Sequence, residues 1–259
     1  KGCDFVVVSD VLETTDTVRH AHVKLPSLAW AEKDGTVTNS ERRISRQRNV
    51  LPTPGKAMPD WWQMAEIGKR MGFAEQFTYA DASEIFAEHA ALSGFENDGG
   101  RDFDISAWAS PNPAAFHALK PFQWPAPKGE ASKETRFFAN GSFYTPDQKG
   151  RFIAVKTPAI KRHALTLNTG RIRDHWHTMT RTGRSQRLSA HLAEPYCEVH
   201  PEDALALSLK AAHLALLSTD YGAMIARVLV TNRARKGSVF VPMHWTDQFA
   251  SSGRVDALI

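Results

Sequence analysis

The pattern of apolar and polar residues predicts two differently built halves of the chain. In the first half, residues 5–8 form a short apolar run rich in valine, which is typical of a strand buried on both faces of a parallel sheet. Residues 23–26 predict a second strand, which ends at a proline. Apolar residues then recur at helical spacing behind Asp60 and behind Asp81, and each Asp is expected to be the N-cap of a helix. These elements indicate a mixed α/β fold.

The second half is predicted to consist mainly of short strands. Four apolar runs have strand length: residues 164–167, 213–219, 223–230 and 239–242. Asp220-Tyr221-Gly222 is typical of a hairpin turn, and one short helix is expected to begin at His200. Such a set fits a closed six-stranded barrel. The proline-rich residues 97–160 predict a long covering segment that joins the two halves.

Composition narrows the class of protein. The 259 residues are 42% hydrophobic and 23% charged, which are ordinary values for a soluble globular protein. Cys3 and Cys197 form no CxxC pair, so neither an iron–sulfur cluster nor a zinc site is predicted here, and free thiols favour a reducing, cytoplasmic compartment. No run approaches the ~18 apolar residues of a membrane span, so no membrane contact is expected. The chain starts with lysine, and both ends are expected to be cut points.

Positive charge is concentrated in residues 161–187. This stretch has seven Lys or Arg, three His and one acid, which give a net charge of +6 against +4 for the whole chain. Because the excess positive charge is not spread along a face, we expect no nucleic-acid partner. Guanidinium groups bind phosphate bidentately and aromatic rings lie against heterocycles, so this mixture of Arg, His, Trp and Thr favours a phosphorylated ligand with a ring. The alternative is a solvated basic loop.

The sequence also predicts a geometry for this stretch. Residues 164–167 are expected to run as a strand into a turn at Asn168-Thr169-Gly170, where backbone N–H groups are exposed. If the following residues are extended, alternation defines two faces, namely Arg171, Arg173, His175 and His177 against Ile172, Asp174 and Trp176. The first face is then expected to meet the ligand, with Ile172 and Trp176 packed beneath it.

Two polar residues, Ser9 and Asp10, follow the first predicted strand. Open α/β sheets bind ligands at the carboxyl ends of their strands, where an Asp commonly accepts from a ribose hydroxyl or a base amine. The alternative, equally supported by the sequence, is that Ser9 and Asp10 cap the helix that follows.

Three stretches resemble one known family. Residues 169–183, TGRIRDHWHTMTRTG, resemble the cofactor-binding signature of the molybdopterin oxidoreductases, and residues 29–48 and 54–62 resemble two further landmarks of that family. Many relatives carry a glycine between the residues that match Thr178 and Met179, and its absence resembles the assimilatory nitrate reductase branch. Relatives also usually have glycines near Ser208 and near residues 211–212, where this chain has none.

The resemblance implies a fold and a cofactor. Residues 1–110 would be the end of a Rossmann-like α/β domain, residues 111–160 a proline-rich crossover, and residues 161–259 a six-stranded double-psi β-barrel domain truncated at its end. The implied cofactor is Mo-bis(molybdopterin guanine dinucleotide), with a 4Fe-4S cluster in a missing amino-terminal part. The implied reaction is reduction of nitrate to nitrite, with electrons from an NAD(P)H-linked reductase subunit, ferredoxin or flavodoxin.

The resemblance also implies a set of cofactor-binding residues. These are Ser9, Asp10, Lys33, Asp60, Thr169, Gly170, Arg171, Ile172, Arg173, Asp174, His175, Trp176, His177 and Thr178. No catalytic residue and no metal ligand is expected, because neither cysteine lies in a matching motif. Two alternatives stay open, namely another family enzyme such as a formate dehydrogenase, and a non-catalytic nucleotide- or nucleic-acid-binding module.

Overall fold

The computed structural model describes residues 2–130, 133–159 and 163–259, and the chain divides into two compact units between Ile153 and Ala154. Residues 111–153 group with the first unit, to whose core Phe116 and Phe122 belong. Lys161 and Arg162, with which the predicted barrel domain begins, lie outside the described residues. The domain boundaries at residues 110 and 160 stay a prediction.

The first unit contains two small sheets and three helices. Its elements are β1 (Val7–Asp10), β2 (Val23–Pro26), β3 (Gly35–Thr38), β4 (Arg43–Gln47), α1 (Asp60–Arg70), α2 (Ala82–Gly94), α3 (Pro113–His117) and β5 (Phe122–Gln123). Strands β1 and β2 pair in parallel, with Ser9 opposite Leu25. Strands β3, β4 and β5 form an antiparallel sheet, and α2 packs beside it.

The core of this unit joins its second sheet to its helices. Ile44 of β4, Phe86 and Ala90 of α2, and Phe116 of α3 are buried in one cluster. Burying a side chain such as Phe86 contributes about 1.5–3 kcal/mol. Asp81 is the N-cap of α2, as predicted, because its carboxylate accepts from the backbone N–H of Ser83 at 2.7 Å.

Two predictions for the first unit are wrong in detail. The first strand is not buried on both faces, since Phe5 and Val7 are 63% and 45% exposed and β1 has a single partner strand in the described part of the chain. Asp60 is not the N-cap of α1, because Pro59 occupies that position and Asp60 is the first helical residue. The Asp60 side chain is thereby free to bond elsewhere.

The second unit is built on one five-stranded sheet. Its elements are β6 (Thr166–Gly170), α4 (Gln186–Ser189), β7 (Tyr196–Val199), α5 (Pro201–Ala206), β8 (Leu214–Ser218), β9 (Ala223–Val230) and β10 (Ser238–Pro242). The strand order is β6-β10-β7-β9-β8, with both parallel and antiparallel pairs. The predicted strands and hairpin are confirmed, since β8 and β9 pair antiparallel and the Thr219 N–H donates to the Gly222 carbonyl at 2.9 Å.

The predicted turn at Asn168-Thr169-Gly170 is wrong. These residues belong to β6 and pair in parallel with residues 240–242 of β10, so their backbone groups lie in the sheet. The core below the sheet includes Cys197, and burial raises the pKa of this thiol to about 11. Cys197 is 1% exposed and packs within this core.

Short 3-10 turns connect the elements of both units. They lie at Val18–His20, Trp30–Glu32, Ser106–Trp108, Thr182–Arg184, Ala190–Leu192 and Val255–Leu258. Within the described ranges, no helix has the length and apolar character needed to cross a membrane.

Ser208 and Ala212 each adopt a left-handed backbone in a turn of the second unit. Ser208 has φ of 56° and Ala212 has φ of 66°, at the positions where relatives usually carry glycine. A side chain in this region costs on the order of 1 kcal/mol. The missing glycines therefore leave strain in these two turns.

Ala212→Gly is expected to raise the free energy of unfolding by roughly 0.5–1 kcal/mol, because glycine tolerates positive φ. Ala206→Gly is the matched control, since Ala206 ends helix α5 and the same exchange there should lower stability by a similar amount. Urea unfolding followed by circular dichroism measures both. Equal destabilisation by the two variants would contradict the left-handed geometry at Ala212.

Candidate functional site

In the first unit, three of the predicted residues meet in one polar cluster. The Asp60 carboxylate accepts from Lys33 Nζ at 2.5 Å and from Ser27 Oγ at 2.5 Å, and Ser9 Oγ lies 3.4 Å from it. Gln63, one turn along α1, accepts from Ser9 Oγ at 2.9 Å. We call Ser9, Ser27, Lys33, Asp60 and Gln63 the Asp60 cluster. It lies where β1, β2 and the start of α1 come together.

The Asp60 carboxylate remains ionised at neutral pH. Burial alone raises its pKa, but hydrogen bonds from Lys33 and Ser27 and the charge of Lys33 together lower the pKa below the usual value. A carboxylate has about four acceptor positions, and the cluster occupies part of them. Because the Asp60 side chain is 55% exposed, it can also accept from the N–H or O–H groups of a ligand.

Asp10 lies next to this cluster in sequence but has a local role. Its carboxylate accepts from the Leu12 backbone N–H and from the Thr15 hydroxyl, both at 3.1 Å. These bonds hold the turn that follows β1. The capping alternative is wrong, because the N-cap of the 3-10 helix at Val18–His20 is Thr17 and no side chain caps that helix. The bonds to Leu12 and Thr15 do not use every acceptor position of the carboxylate, so a contact with a ligand stays a prediction.

In the second unit, the predicted site residues follow β6 as an irregular loop, which we call the 171–178 loop. Arg171, Arg173, Trp176, His177 and Thr178 are exposed. The Arg171 guanidinium lies 5.9 Å from the Trp176 ring centre. Among the described residues, neither arginine of the loop has a carboxylate partner. The loop therefore presents two guanidinium groups that have no carboxylate partner in the described part of the chain, and one of them, Arg171, lies beside an aromatic ring.

The predicted alternation of faces is wrong. His175, expected on the ligand face, is only 5% exposed, while Trp176, expected beneath it, is 49% exposed. The segment is not extended, because residues 173–174 and 177–180 form turns and His177 has φ of 44°. The local turns rotate Trp176 outward and His175 inward.

Two buried imidazoles hold the loop from inside. His175 Nε2 donates to the Leu192 carbonyl at 2.9 Å, and its Nδ1 accepts from Thr182 Oγ1 at 2.7 Å. His244 Nε2 accepts from the Ile172 N–H at 2.9 Å, and its Nδ1 donates to the His177 carbonyl at 2.5 Å. Carbonyl oxygens only accept and backbone N–H groups only donate, so the tautomer of His244 is fixed, and Nε2 of His175 carries a proton.

A groove of 850 Å³ opens beside the loop. It is lined by Arg171, Arg173, Tyr196 and Phe240, together with the Arg227–Glu194 ion pair at 2.6 Å. Its size suits a cofactor or a large small molecule. The guanidinium groups of Arg171 and Arg173 and the Tyr196 side chain line it, and the Trp176 ring lies 5.9 Å from the Arg171 guanidinium, so the residues present fit a phosphorylated, ring-bearing cofactor.

Sequence reasoning missed three residues of these sites: Ser27, Gln63 and His244. Ser27 directly follows the predicted second strand, and His244 follows the last one, so both stand at strand ends where polar residues often serve a site. Gln63 is a polar residue in a helix whose sequence signal comes from its apolar positions, and that signal does not mark Gln63. In the described part of the chain, no group of three or more His, Cys, Asp or Glu side chains could hold a metal ion.

Comparisons with known proteins show the family to which these two units are similar. Residues 165–259 match the Molydopterin dinucleotide binding domain, and residues 1–70 match the Molybdopterin oxidoreductase family. The chain is 46% identical to a nitrate reductase of Klebsiella oxytoca, covering 99% of this chain and 30% of that protein. It is 36% identical to a nitrate reductase of Shewanella frigidimarina, covering 96% of this chain and 29% of that protein.

Other relatives have different names. A formate dehydrogenase subunit alpha of Methanocaldococcus jannaschii is 30% identical over 95% of this chain and 35% of its own length. The solved structure of acetylene hydratase from Pelobacter acetylenicus superposes with a TM-score of 0.64 at 18% identity, covering 92% of this chain and 33% of that one, which shows the fold alone. The chain spans about a third of the length of these relatives. It belongs to the molybdopterin oxidoreductase family and corresponds to the molybdopterin-binding region of nitrate reductase-like proteins.

Proposed function

We propose that this chain binds molybdopterin guanine dinucleotide, as part of a molybdenum enzyme that reduces nitrate to nitrite during nitrate assimilation. The observation that carries the proposal is the 171–178 loop, which places Arg171 and Arg173, neither with a carboxylate partner among the described residues, in the lining of a groove, with the exposed Trp176 ring 5.9 Å from Arg171. When bound, the molybdenum centre supplies two-electron oxygen-atom transfer. The chain's share is to bind and orient the cofactor.

The loop and the Asp60 cluster have complementary chemistry. Arg171, Arg173, His177 and Thr178 supply donors for phosphate oxygens, and Trp176 supplies a ring surface. Asp60 is an ionised acceptor for ligand N–H or O–H groups, held by Lys33. Within the loop, Ile172, Asp174 and His175 support its path, and Thr169 and Gly170 end the strand from which it emerges.

The finer parts of the assignment rest on family resemblance. The family resemblance supports a double-psi β-barrel from residue 161 onward, after an α/β domain to residue 110 and a crossover. The described sheet has the mixed parallel and antiparallel pairing of such a barrel, but it has five strands and β6 and β8 are its edges. The full-length protein would add a 4Fe-4S cluster and accept electrons in the cytoplasm from an NAD(P)H-linked reductase subunit, ferredoxin or flavodoxin. The second candidate is a formate dehydrogenase, which the relative from Methanocaldococcus jannaschii favours.

The proposal is tested with the full-length protein purified from molybdate-grown cells. With a reduced viologen, we expect nitrite to form from nitrate, whereas formate should not reduce the oxidised dye. Protein from tungstate-grown cells is the control, because it would carry tungsten in place of molybdenum and should not reduce nitrate. Formate oxidation without nitrate reduction would replace the proposed substrate with that of the second candidate.

A further inference from the structure

We infer that His244 is the positioning residue that sets the shape of the cofactor-binding loop, an inference that rests on the proposed function. It lies outside the predicted signature, two residues after β10 ends. Strands β6 and β10 run in parallel, with Gly170 opposite Pro242, so the segments that follow them emerge at the same edge of the sheet. The topology thereby brings His244 under the 171–178 loop.

His244 binds the loop at both ends with its two ring nitrogens. The Ile172 N–H donates to Nε2 at 2.9 Å, and Nδ1 donates to the His177 carbonyl at 2.5 Å. His244 itself has 0% exposure, so these bonds are shielded from water. A single neutral imidazole thus closes the six residues 172–177 into one compact loop.

One residue of this loop and one residue just after it have strained backbone conformations, which the two hydrogen bonds of His244 can hold in place. His177 has φ of 44° and Met179 has φ of 61°, and Met179 is buried. Such left-handed residues persist only where their surroundings fix them. With both ends fixed, Arg173 and Trp176 project outward between them, and the Arg171 guanidinium keeps its place near the Trp176 ring. Contacts within this chain therefore set the shape of the loop.

The packing around His244 offers a control that separates hydrogen bonding from volume. Trp245 is 1% exposed, lies 5.2 Å from the His175 ring, and its Nε1 has no hydrogen-bond partner among the described residues. Trp245→Phe changes buried volume without removing a bond to the loop. His244→Phe keeps a ring of similar size and removes both bonds, whereas His244→Asn retains an amide that can reach one of the two ends.

The test uses the full-length protein, without cofactor for hydrogen exchange and with cofactor for molybdenum content. We expect His244→Phe to speed amide exchange in residues 171–178 at least about tenfold, without change in β9, and to lower molybdenum per polypeptide several-fold. His244→Asn should recover part of both losses. Trp245→Phe should leave loop exchange near the wild-type rate.

Three results separate this inference from the proposed function. Unchanged loop exchange in His244→Phe overturns the inference. Faster exchange with wild-type molybdenum content also overturns it, and if Arg171→Ala still lowers the molybdenum content, the proposed function survives. Wild-type content in both His244→Phe and Arg171→Ala defeats the proposed function together with the inference that rests on it.

Discussion

Arg171→Ala is expected to lower the molybdenum content of the purified full-length protein about tenfold or more. The Arg171 guanidinium has no carboxylate partner among the described residues, lines the groove and lies 5.9 Å from the Trp176 ring centre, so its charge is available to a phosphate. A charge-assisted hydrogen bond contributes about 1.5–3 kcal/mol, and 1.4 kcal/mol corresponds to a factor of ten in affinity. Metal analysis per polypeptide measures the effect.

Arg235→Ala is the matched control for this change. Arg235 is an exposed arginine of the same unit, in the turn before β10 and outside the 171–178 loop. Its replacement removes the same charge from the unit and should leave the molybdenum content unchanged. If both variants, or neither, lose molybdenum, the loop is not a specific phosphate site and the solvated-loop alternative is favoured.

Asp60→Asn is expected to reduce cofactor content by about tenfold while leaving thermal stability almost unchanged. The Lys33 and Asp60 side chains are 33% and 55% exposed, so their ion pair contributes at most about 1 kcal/mol to folding. A ligand donor facing the carboxylate would lose a charge-assisted bond of about 1.5–3 kcal/mol. The expected loss of cofactor affinity is therefore larger than the expected loss of folding stability. Metal analysis measures the first, and differential scanning calorimetry measures the second.

Glu66→Gln serves as the control in the same helix. Glu66 pairs with Lys69 at 2.9 Å and with Arg70 at 2.6 Å, so the substitution also removes one carboxylate charge from salt bridges on α1. It should keep the wild-type cofactor content. A large fall in the melting temperature of Asp60→Asn, with cofactor content following it, would instead make Asp60 a structural residue.

Much of the fold could be predicted because its signals are local. Strand β9 coincides with the apolar run at residues 223–230, and the hairpin before it follows from Asp220-Tyr221-Gly222. Asp81 caps α2 through a bond to its own neighbour, Ser83. Such short-range features depend on residues that stand together in the sequence.

The site was harder to predict because its geometry depends on distant partners. Residues 171–177 alternate in sequence like a strand, yet Trp176 is outward and His175 inward, because Leu192 and Thr182 bind the His175 ring. The loop is also held by His244, which only the parallel pairing of β6 and β10 brings near. Neither contact has a signature within the loop itself.

Hydrogen exchange of the full-length protein, compared with and without its molybdenum cofactor, is the most direct test of whether the 171–178 loop and the Asp60 cluster bind that cofactor. The two forms come from matched strains, one of which cannot make the pterin. We expect the cofactor to slow exchange in residues 169–178 and in the peptides that carry Ser9, Lys33 and Asp60. Exchange in α2, which forms part of the first unit's core, should not change. If exchange in the 171–178 loop is unchanged while protection appears elsewhere in this chain, the loop does not bind the cofactor.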